Sequence, residues 1–482
     1  MPLLTLVILL TLPTLLSEQG ADLQHVPALQ PLVFTHVTLI DCTGAPPKPD
    51  MTVVITGDRI TAVGKSKDVP VPNGAHVIDA KGKFLIPGLW DMHVHSVPQM
   101  EERLSPLYVA NGVTGVRIMW GVSEHLEWRK QERAGTWPGP RLSLAGTLVD
   151  GSDPIWPGST VAATAEEGRQ IVRATRSEGY DFVKVYSKLS REVYFAIADE
   201  AKQQGIPFAG HVPLSISAAE ASDAGHGSIE HLTGILLACS THEEELRKEE
   251  LDATSETDLR MITRRIMRGN PRLIDTYSDE KAQALFERFV RNETWQVPTL
   301  TVLRAYASLH DPRFTGDPRL KYVPSMRVRN WEGRAVEIRQ NLGPEDFAAA
   351  QRKFRTSIEI VGAMHRSGVP ILAGTDVGNP YCFPGFSLHD ELELLVQAGL
   401  TPMESLQTAT INPAKFLGRL SDLGTVEKGK LADLVLLDAD PLQDIRHTRR
   451  IAAVVLGGQL FDRPALELML SDAESSSRNI EP

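Results

Sequence analysis

Residues 86–96 read IPGLWDMHVHS, an apolar run with a Pro-Gly break followed by two histidines one residue apart. Side chains two positions apart on a strand point to the same face, so His93, His95 and Asp91 would face the same way. Two imidazoles at this spacing, where an apolar strand should end, are suited to one metal ion. Paired histidines also occur as packed or solvent-facing residues, so this motif alone leaves both interpretations open.

The region that follows, from residue 87 to about residue 418, alternates short apolar strands with longer amphipathic stretches. This alternation is typical of a parallel sheet, and eight candidate strands favour an α/β fold with a closed (β/α)8 TIM barrel. An open doubly wound sheet is the alternative, but no GxGxxG motif follows a strand. The eight strands are LWDMHVH (89–95), VTGVRIM (113–119), RLSLAG (141–146), DFVKVYS (181–187), IPFAGHV (206–212), HGSIEHL (226–232), WQVPTLTVL (295–303) and VPILAGTD (369–376).

Both ends of the chain show a different pattern, with short alternating segments broken by Gly, Asp and Pro. Segments of this kind predict short, half-exposed strands. We therefore expect residues 31–86 and 423–465 to form one composite β-sandwich domain. The barrel domain would occupy residues 87–422, and residues 466–482 would form a tail.

The first residues form a separate segment, because residues 3–16 are uncharged and mostly apolar. A membrane span needs about 20 apolar residues, so we interpret residues 1–21 as a signal peptide. The mature protein would then be secreted or periplasmic, with no stable membrane span. Without a functional signal it would be cytoplasmic.

Composition limits the classes of partner. The 482 residues include 50 Lys and Arg against 61 Asp and Glu, a net charge of −11, which argues against nucleic-acid binding because that needs a basic face. The three cysteines are far apart and form no CxxC motif, so neither a disulfide framework nor a zinc–thiolate site is expected. A homo-oligomer is compatible with this sequence.

Four more polar residues occupy the C-terminal ends of predicted strands, where barrel enzymes place their chemistry: Lys184, His211, His231 and Asp376. On its strand, Lys184 would share a face with Phe182 and Tyr186, opposite Val183 and Val185. A lysine inside a barrel is costly to charge. It is either paired with a carboxylate or has a pKa lowered by burial, which makes it chemically useful.

The chain resembles the amidohydrolase superfamily of metal-dependent hydrolases, within its imidazolonepropionase-like and Xaa-Pro dipeptidase-like group. The resemblance spans residues 53–461. It implies a (β/α)8 barrel carrying a composite β-sandwich. The matching blocks are PGLWDMHVH, NGVTGVRIM, FVKVYS, GHVP, SIEH, AGTDVG, GLTPMESLQTATINPAKFLG and GTVEKGKLADLVLLDADP.

The resemblance also implies a metal centre. His93, His95 and Asp376 would hold one divalent ion, and His211 and His231 would hold a second. Lys184, carboxylated by carbon dioxide, would bridge the two ions. Zinc suits imidazole and carboxylate ligands, and a site with one ion stays open.

The predicted activity is cleavage of a C–N bond, in an amide or peptide-like small molecule, by hydroxide generated at the metal. Asp376 would act as base and then as acid. Dipeptides and N-acyl amino acids are the expected substrates. The candidate substrate contacts are Tyr186, Arg117 and His389. For Arg117, an ion pair on the barrel wall is an equally compatible role. Ile118 stands where relatives often have an acid. The alternatives are a lactonase or cyclic-amide hydrolase with one metal, and a non-catalytic metal-binding protein.

Overall fold

A computed structural model describes residues 30–96, 98–137, 139–253 and 259–478. The predicted signal peptide lies outside these residues. Within the described residues, no helix is both long enough and apolar enough to cross a bilayer.

The strands belong to two sheets. In chain order they are β1 (Leu32–Leu39), β2 (Lys48–Thr56), β3 (Arg59–Lys65), β4 (His76–Asp79), β5 (Phe84–Pro87), β6 (Leu89–Val94), β7 (Val113–Ile118), β8 (Arg141–Asp150), β9 (Thr160–Val161), β10 (Phe182–Val185), β11 (Phe208–Gly210), β12 (Ser228–Glu230), β13 (Trp295–Val297), β14 (Leu434–Leu437), β15 (Ile451–Leu456) and β16 (Gln459–Asp462).

Helices fill most of the remaining chain. They are α1 (Pro98–Ala110), α2 (Ser123–Arg133), α3 (Ala165–Glu178), α4 (Arg191–Gln204), α5 (Ala218–Asp223), α6 (Ile235–Ala238), α7 (Glu243–Asp252), α8 (Leu259–Arg268), α9 (Arg272–Asp275), α10 (Asp279–Arg291), α11 (Leu300–Ser308), α12 (Pro312–Thr315), α13 (Ser325–Asn341), α14 (Pro344–Arg366), α15 (Phe386–Gln397), α16 (Pro402–Thr408), α17 (Ile411–Phe416) and α18 (Arg463–Arg478), with 3-10 helices at Pro318–Tyr322 and Ile445–Arg449.

The first sheet joins the two ends of the chain. Its strand order is β16-β15-β14-β5-β1-β2-β3, with β4 also paired to β1. Most pairs are antiparallel, whereas β1 runs parallel to β4 and β5. The antiparallel pairing of β14 with β5 joins the C-terminal strands to the N-terminal ones.

The second sheet is a parallel barrel. Seven strands follow the order β13-β12-β11-β10-β8-β7-β6, and β9 pairs with β8 at the side. The eighth position is filled by residues 370–377, which bridge both edges of the barrel through single pairings of Ile371 with Gln296 and of Val377 with Val94. Backbone bonds of 2.9 Å from Leu372 N to Gln296 O and from Met92 N to Ala373 O close the ring. The fold is therefore the predicted TIM barrel with a separate sheet from both chain ends.

Alternation along the barrel strands separates two apolar layers. Val183 and Val185 of β10 join the large cluster that includes Val193 and Ile197 of α4. Phe182 instead packs with residues of neighbouring strands inside the barrel. This period of two places Lys184, the residue between the two valines, on the interior face.

Two predicted elements differ from the observed ones. The segment 295–303 is a strand only over β13 and then turns into α11. The helix begins there because the buried carboxylate of Glu391 accepts bonds from Leu300 N at 2.9 Å and Thr301 N at 2.7 Å, satisfying the free donors of its first turn. The predicted C-terminal tail is largely helix α18, where Ala473 packs with Leu104 and Leu107 of α1.

Candidate active site

The predicted site residues gather at one end of the barrel, where the parallel strands finish. His93 lies within β6 and His95 directly follows it, while Lys184 lies within β10. His211 and His231 directly follow β11 and β12. Asp376 lies near the end of the segment that closes the ring. Residues far apart in sequence therefore face one another across the barrel mouth.

His93, His95 and Asp376 form the tightest group. The Nε2 atoms of the two histidines lie 3.3 Å apart. Asp376 Oδ1 is 3.4 Å from His93 Nε2 and 3.1 Å from His95 Nε2. One donor atom from each residue lies within 4.8 Å of the others. Three such atoms pointing at a common space are suited to one divalent cation.

His211 and His231 extend the cluster beside this group. The ring centroids of His93 and His231 are 4.5 Å apart, and those of His231 and His211 are 5.0 Å apart. His231 Nδ1 pairs with the hydroxyl of Thr299 at 2.7 Å, and His211 Nδ1 pairs with the hydroxyl of Ser187 at 2.9 Å. These contacts occupy Nδ1 of each ring, so Nε2 is the nitrogen that could bind a ligand.

Two of these residues have a left-handed backbone. His231 has φ of 57° and Asp376 has φ of 61°. Non-glycine residues seldom adopt this conformation, and it concentrates at functional sites. In a regular strand His231 would face away from Glu230. Because its backbone is left-handed, His231 does not follow the alternation of inward and outward side chains along β12.

Lys184 is buried without a counter-ion in contact. Its side chain is 1% exposed, and Nζ has no hydrogen-bond partner among the described residues. Burial lowers the pKa of Lys184 to about 8, although Glu230 and Asp376 oppose the shift. The backbone of β11 lies close to Lys184 because Gly210 on that strand has no side chain. A Cβ there would lie 2.1 Å from Val185 O and 3.1 Å from Lys184 Cδ.

The protonation states suit metal binding. Burial lowers the pKa of His93 and His211 well below its ordinary value, and it lowers that of His231 to about 4. Burial raises the pKa of Asp376, but His231 and His95 outweigh this effect and leave the pKa below its ordinary value. At neutral pH His93, His211 and His231 are therefore neutral and Asp376 is ionised, which are the ligand forms that metals bind.

Glu230 is a site residue that the sequence predictions missed. Its Oε2 lies 2.6 Å from His93 Nδ1, and its Oε1 accepts bonds from Arg117 Nη2 at 2.8 Å and Ser228 Oγ at 2.6 Å. The side chain is fully buried. Its position in SIEH gave a usable signal, because an acid two residues after Ser228 on a barrel strand shares the inward face.

Asp91 anchors the backbone behind the histidine pair. Its Oδ1 accepts bonds from Thr375 N at 3.0 Å and His93 N at 3.2 Å, and its Oδ2 accepts one from Thr375 Oγ1 at 2.6 Å. Burial raises the pKa of Asp91 to about 7. These bonds join β6 to the closing segment and so fix His93 relative to Asp376.

Of the predicted substrate contacts, Tyr186 lies beside the cluster. The centroids of its ring and the His211 ring are 4.0 Å apart. The indole Nε1 of Trp156 donates to the Tyr186 hydroxyl oxygen at 2.8 Å. Trp156 is itself about half exposed. Tyr186 therefore connects the histidine cluster to the loop that follows β8.

The other two predicted contacts, Arg117 and His389, pair with protein groups. Arg117 is fully buried, and its three nitrogens donate to Met92 O, Ser228 Oγ and Glu230 Oε1, so the alternative ion pair on the barrel wall is what forms. His389 is also buried. Its ring nitrogens pair with Thr448 Oγ1 at 2.9 Å and Asn111 O at 3.0 Å, because α15 packs against the end of α1 rather than facing the mouth.

The donor set fits a metal ion by its own chemistry. Glu230 accepts the proton of His93 Nδ1, which leaves Nε2 as a bare acceptor facing His95 and Asp376. The buried amine of Lys184 has no hydrogen-bond partner among the described residues, so it adds a polar group that still needs one. The described residues thus provide one group of three side chains that could hold a metal ion, with further imidazoles beside it.

Comparison with known proteins agrees with this fold. An amidohydrolase family model matches residues 318–461. An imidazolonepropionase from Shouchella clausii is 35% identical over 119 residues, which are 24% of this chain and 26% of the relative. The chain thus matches about a quarter of the length of this curated relative. These matches identify an amidohydrolase-family domain in the chain.

Solved structures extend the likeness over the whole described fold. A provisionally named prolidase from Bifidobacterium longum is 26% identical, with a TM-score of 0.65 over 93% of this chain and 100% of that one. A Xaa-Pro dipeptidase with methionine bound in its active site is 20% identical, with a TM-score of 0.64 over 90% of this chain and 100% of that one. The second likeness concerns the fold alone.

Proposed function

We propose that the chain hydrolyses a C–N bond in a small amide or peptide substrate, using a metal-activated water. The observation that carries this proposal is the convergence of four imidazoles, an ionised aspartate and a lysine without a hydrogen-bond partner among the described residues, all at the mouth of a barrel. Acyl-group hydrolysis needs a nucleophile at neutral pH and a group that moves protons, and this set provides for both.

The residues that would hold metal are His93, His95 and Asp376 for one ion, with His211 and His231 for a second. A divalent ion bound there would lower the pKa of a bound water to about 7 and would polarise a substrate carbonyl. Zinc suits the ligand types. Lys184 would bridge after carboxylation, in which its neutral amine adds to carbon dioxide and releases one proton. Its lowered pKa favours the neutral form that this addition needs.

Asp376 would accept the proton of the attacking water and pass it to the departing nitrogen. Its Oδ1 faces the two histidines of β6 and its Oδ2 lies 3.7 Å from His231 Nδ1, so the carboxylate is central to the cluster. The carboxylate is ionised at neutral pH, as a general base must be.

Dipeptides and N-acyl amino acids are the proposed substrates. The named activities of the imidazolonepropionase and prolidase relatives concern C–N bonds in small molecules, which supports this class. Tyr186 would contact the substrate, because its hydroxyl accepts a bond from Trp156 and still has a proton to donate.

A hydrolysis screen tests this proposal. Metal-loaded protein is offered matched panels of dipeptides, N-acyl amino acids, cyclic amides and lactones, with chelator-treated protein as the control. We expect amide hydrolysis that chelation removes and added metal restores. Metal binding without turnover of any panel would instead favour the non-catalytic alternative.

A one-metal lactonase or cyclic-amide hydrolase is the second candidate. It is favoured by the three-residue group, because in the described part of the chain His93, His95 and Asp376 are the only set of three or more His, Cys, Asp or Glu residues with donor atoms within 4.8 Å of one another. Metal analysis of purified protein separates the two forms. Two ions per chain support the binuclear amidohydrolase, and one ion with lactone turnover supports the alternative.

A further inference from the structure

Helix α11 is linked to the proposed metal centre at two points. Thr299 directly precedes the helix, and its hydroxyl pairs with Nδ1 of His231 at 2.7 Å. Further along the helix, the hydroxyl of Tyr306 donates to Oδ1 of Asn379 at 3.0 Å. Asn379 lies in the loop that follows Asp376. One helix is therefore connected to both proposed ligands that have a left-handed backbone.

Asn379 holds the backbone of Asp376 with two donors. Its backbone N and its side-chain Nδ2 both donate to Asp376 O, each at 3.2 Å. Its Oδ1 accepts the bond from Tyr306, and its backbone O accepts one from Cys382 N at 3.2 Å. Each polar atom of Asn379 thus has a partner. The residue joins the Asp376 carbonyl to α11 on one side and to the next turn on the other.

The conformation of Asp376 needs such support. A left-handed backbone is unfavourable for a residue with a side chain, and it persists only where the surroundings hold it. On the side that enters the residue, Asp376 N donates to His93 O at 2.8 Å. On the side that leaves it, both bonds to the Asp376 carbonyl from described residues come from Asn379. Removing the Asn379 side chain would leave that carbonyl with one bond and no link to α11.

The loop between Asp376 and Asn379 runs close against the histidine pair of β6. At Gly378 a Cβ would lie 2.9 Å from Cβ of His95, and φ is 114°, so glycine suits this position. The carboxylate of Asp376 is 3.1 Å from Nε2 of the same histidine. A shift of this loop would therefore move Asp376 relative to His95.

Tyr306 connects Asn379 to a fixed part of the fold. It belongs to α11, whose first turn is held by the buried carboxylate of Glu391. Burial and the negative charge of Asp376 raise the pKa of Tyr306, so its hydroxyl keeps its proton at neutral pH. The phenol is therefore a permanent donor to Asn379, and the position of the helix determines the position of the Asn379 side chain.

We propose that Asn379 is a positioning residue for Asp376, and that Tyr306 fixes Asn379 from helix α11. Together they keep the Asp376 carboxylate aimed at His93 and His95, where it would bind metal and carry the proton. A displacement of about 1 Å in such a group can lower a rate about 100-fold. The expected effect on turnover rests on the proposed function, whereas the expected effect on metal affinity needs no turnover.

Asn379→Ala measures the role of the side chain. We expect kcat, on the amide that the hydrolysis screen identifies, to fall about 10–100-fold while KM changes less than about threefold. The zinc dissociation constant, measured by competition with a chelator, should rise about tenfold. Asn412→Ala is the matched control, because Asn412 Nδ2 donates to Ile371 O at 2.9 Å near the other end of the closing segment. It should leave kcat and zinc affinity within about twofold of wild type.

Tyr306→Phe tests the link to the helix with little risk to folding, since it keeps the ring and removes only the hydroxyl. We expect kcat to fall about three- to tenfold, less than in Asn379→Ala. The double variant should be no slower than Asn379→Ala alone, because both changes interrupt the same line of contacts. Tyr322→Phe, whose ring stacks on Phe386 of α15, is the control and should behave as wild type.

Three results would overturn the proposal. The first is a wild-type zinc dissociation constant and kcat in folded Asn379→Ala. The second is an equal loss in Asn379→Ala and Asn412→Ala, which would reflect general destabilisation. The third is full multiplication of the two effects in the double variant, which would separate Tyr306 from Asn379. If the wild-type chain hydrolyses no amide but Asn379→Ala still weakens zinc binding, the proposed function fails and the positioning role stands.

Discussion

Glu230 Oε2 lies 2.6 Å from Nδ1 of His93, and both side chains are fully buried. Arg117 holds the other oxygen of the same carboxylate at 2.8 Å. The result is a line of contacts, Arg117–Glu230–His93, that fixes the ring of one proposed metal ligand from inside the barrel. Partners of this type orient a ligating imidazole and raise its basicity.

Glu230→Gln should weaken metal binding without removing a ligand. The negative charge of the Glu230 carboxylate balances Arg117 and strengthens the hydrogen bond from His93. The neutral amide of glutamine lacks this charge. We expect the metal dissociation constant to rise by roughly 10–100-fold. Competition with a chromophoric chelator measures it, and circular dichroism checks the fold. An unchanged constant in a folded variant would show that Glu230 only fills space.

Lys184→Ala should reduce both metal content and hydrolysis, because the proposed bridge disappears. Lys188→Ala is the matched control, since Lys188 lies four residues on and pairs with the exposed Asp153 at 2.7 Å. Metal analysis after dialysis measures the first effect. A carbamate carbon signal after exposure to ¹³C-bicarbonate, present in the control and absent in Lys184→Ala, measures the modification. Unchanged metal content would refute bridging.

Asp376→Asn should lower kcat by roughly 10²–10⁴-fold, the usual contribution of a positioned proton-transfer group. Asparagine tolerates the left-handed backbone of this position, so the loop should keep its shape. Steady-state kinetics on whichever amide the screen identifies gives the value, and Asp153→Asn should behave as wild type. A kcat within twofold of the wild-type value would exclude Asp376 as the proton carrier.

Acid should destabilise the chain through its buried histidines. Burial lowers the pKa of His226 and of His389 from 6.5 to about 4. The unfolded chain therefore takes up protons first as the pH falls, so stability is complete above pH 6.5 and decreases from there towards pH 4. The loss is at most about 3 kcal/mol per histidine.

Urea denaturation between pH 7.5 and 4.5, with EDTA present to exclude effects of metal release, measures this slope. His389→Gln should be less stable at pH 7.5 but show a shallower pH dependence. His76→Gln, at an exposed position, is the control and should keep the wild-type slope. An identical slope in His389→Gln and wild type would show that His389 does not titrate with folding.

The sequence by itself determined the features that depend on local periodicity. Alternation of apolar and polar residues indicated the barrel strands and placed His93 with Asp91 and Lys184 between two valines. The HxH motif and strand-end positions then indicated which side chains would meet. The eighth strand was predicted in the right place, although it closes the barrel with single pairings rather than a full ladder.

Only the tertiary structure decided how these residues are held. Glu230 meets His93 across 137 positions, and Thr375 meets Asp91 across 284. Packing also buried Arg117 and His389 away from the mouth, and the left-handed backbone turned His231 out of the strand alternation. Local periodicity shows which face a side chain takes. It cannot show which distant residue that face will contact, because such contacts form only when the ring of strands closes.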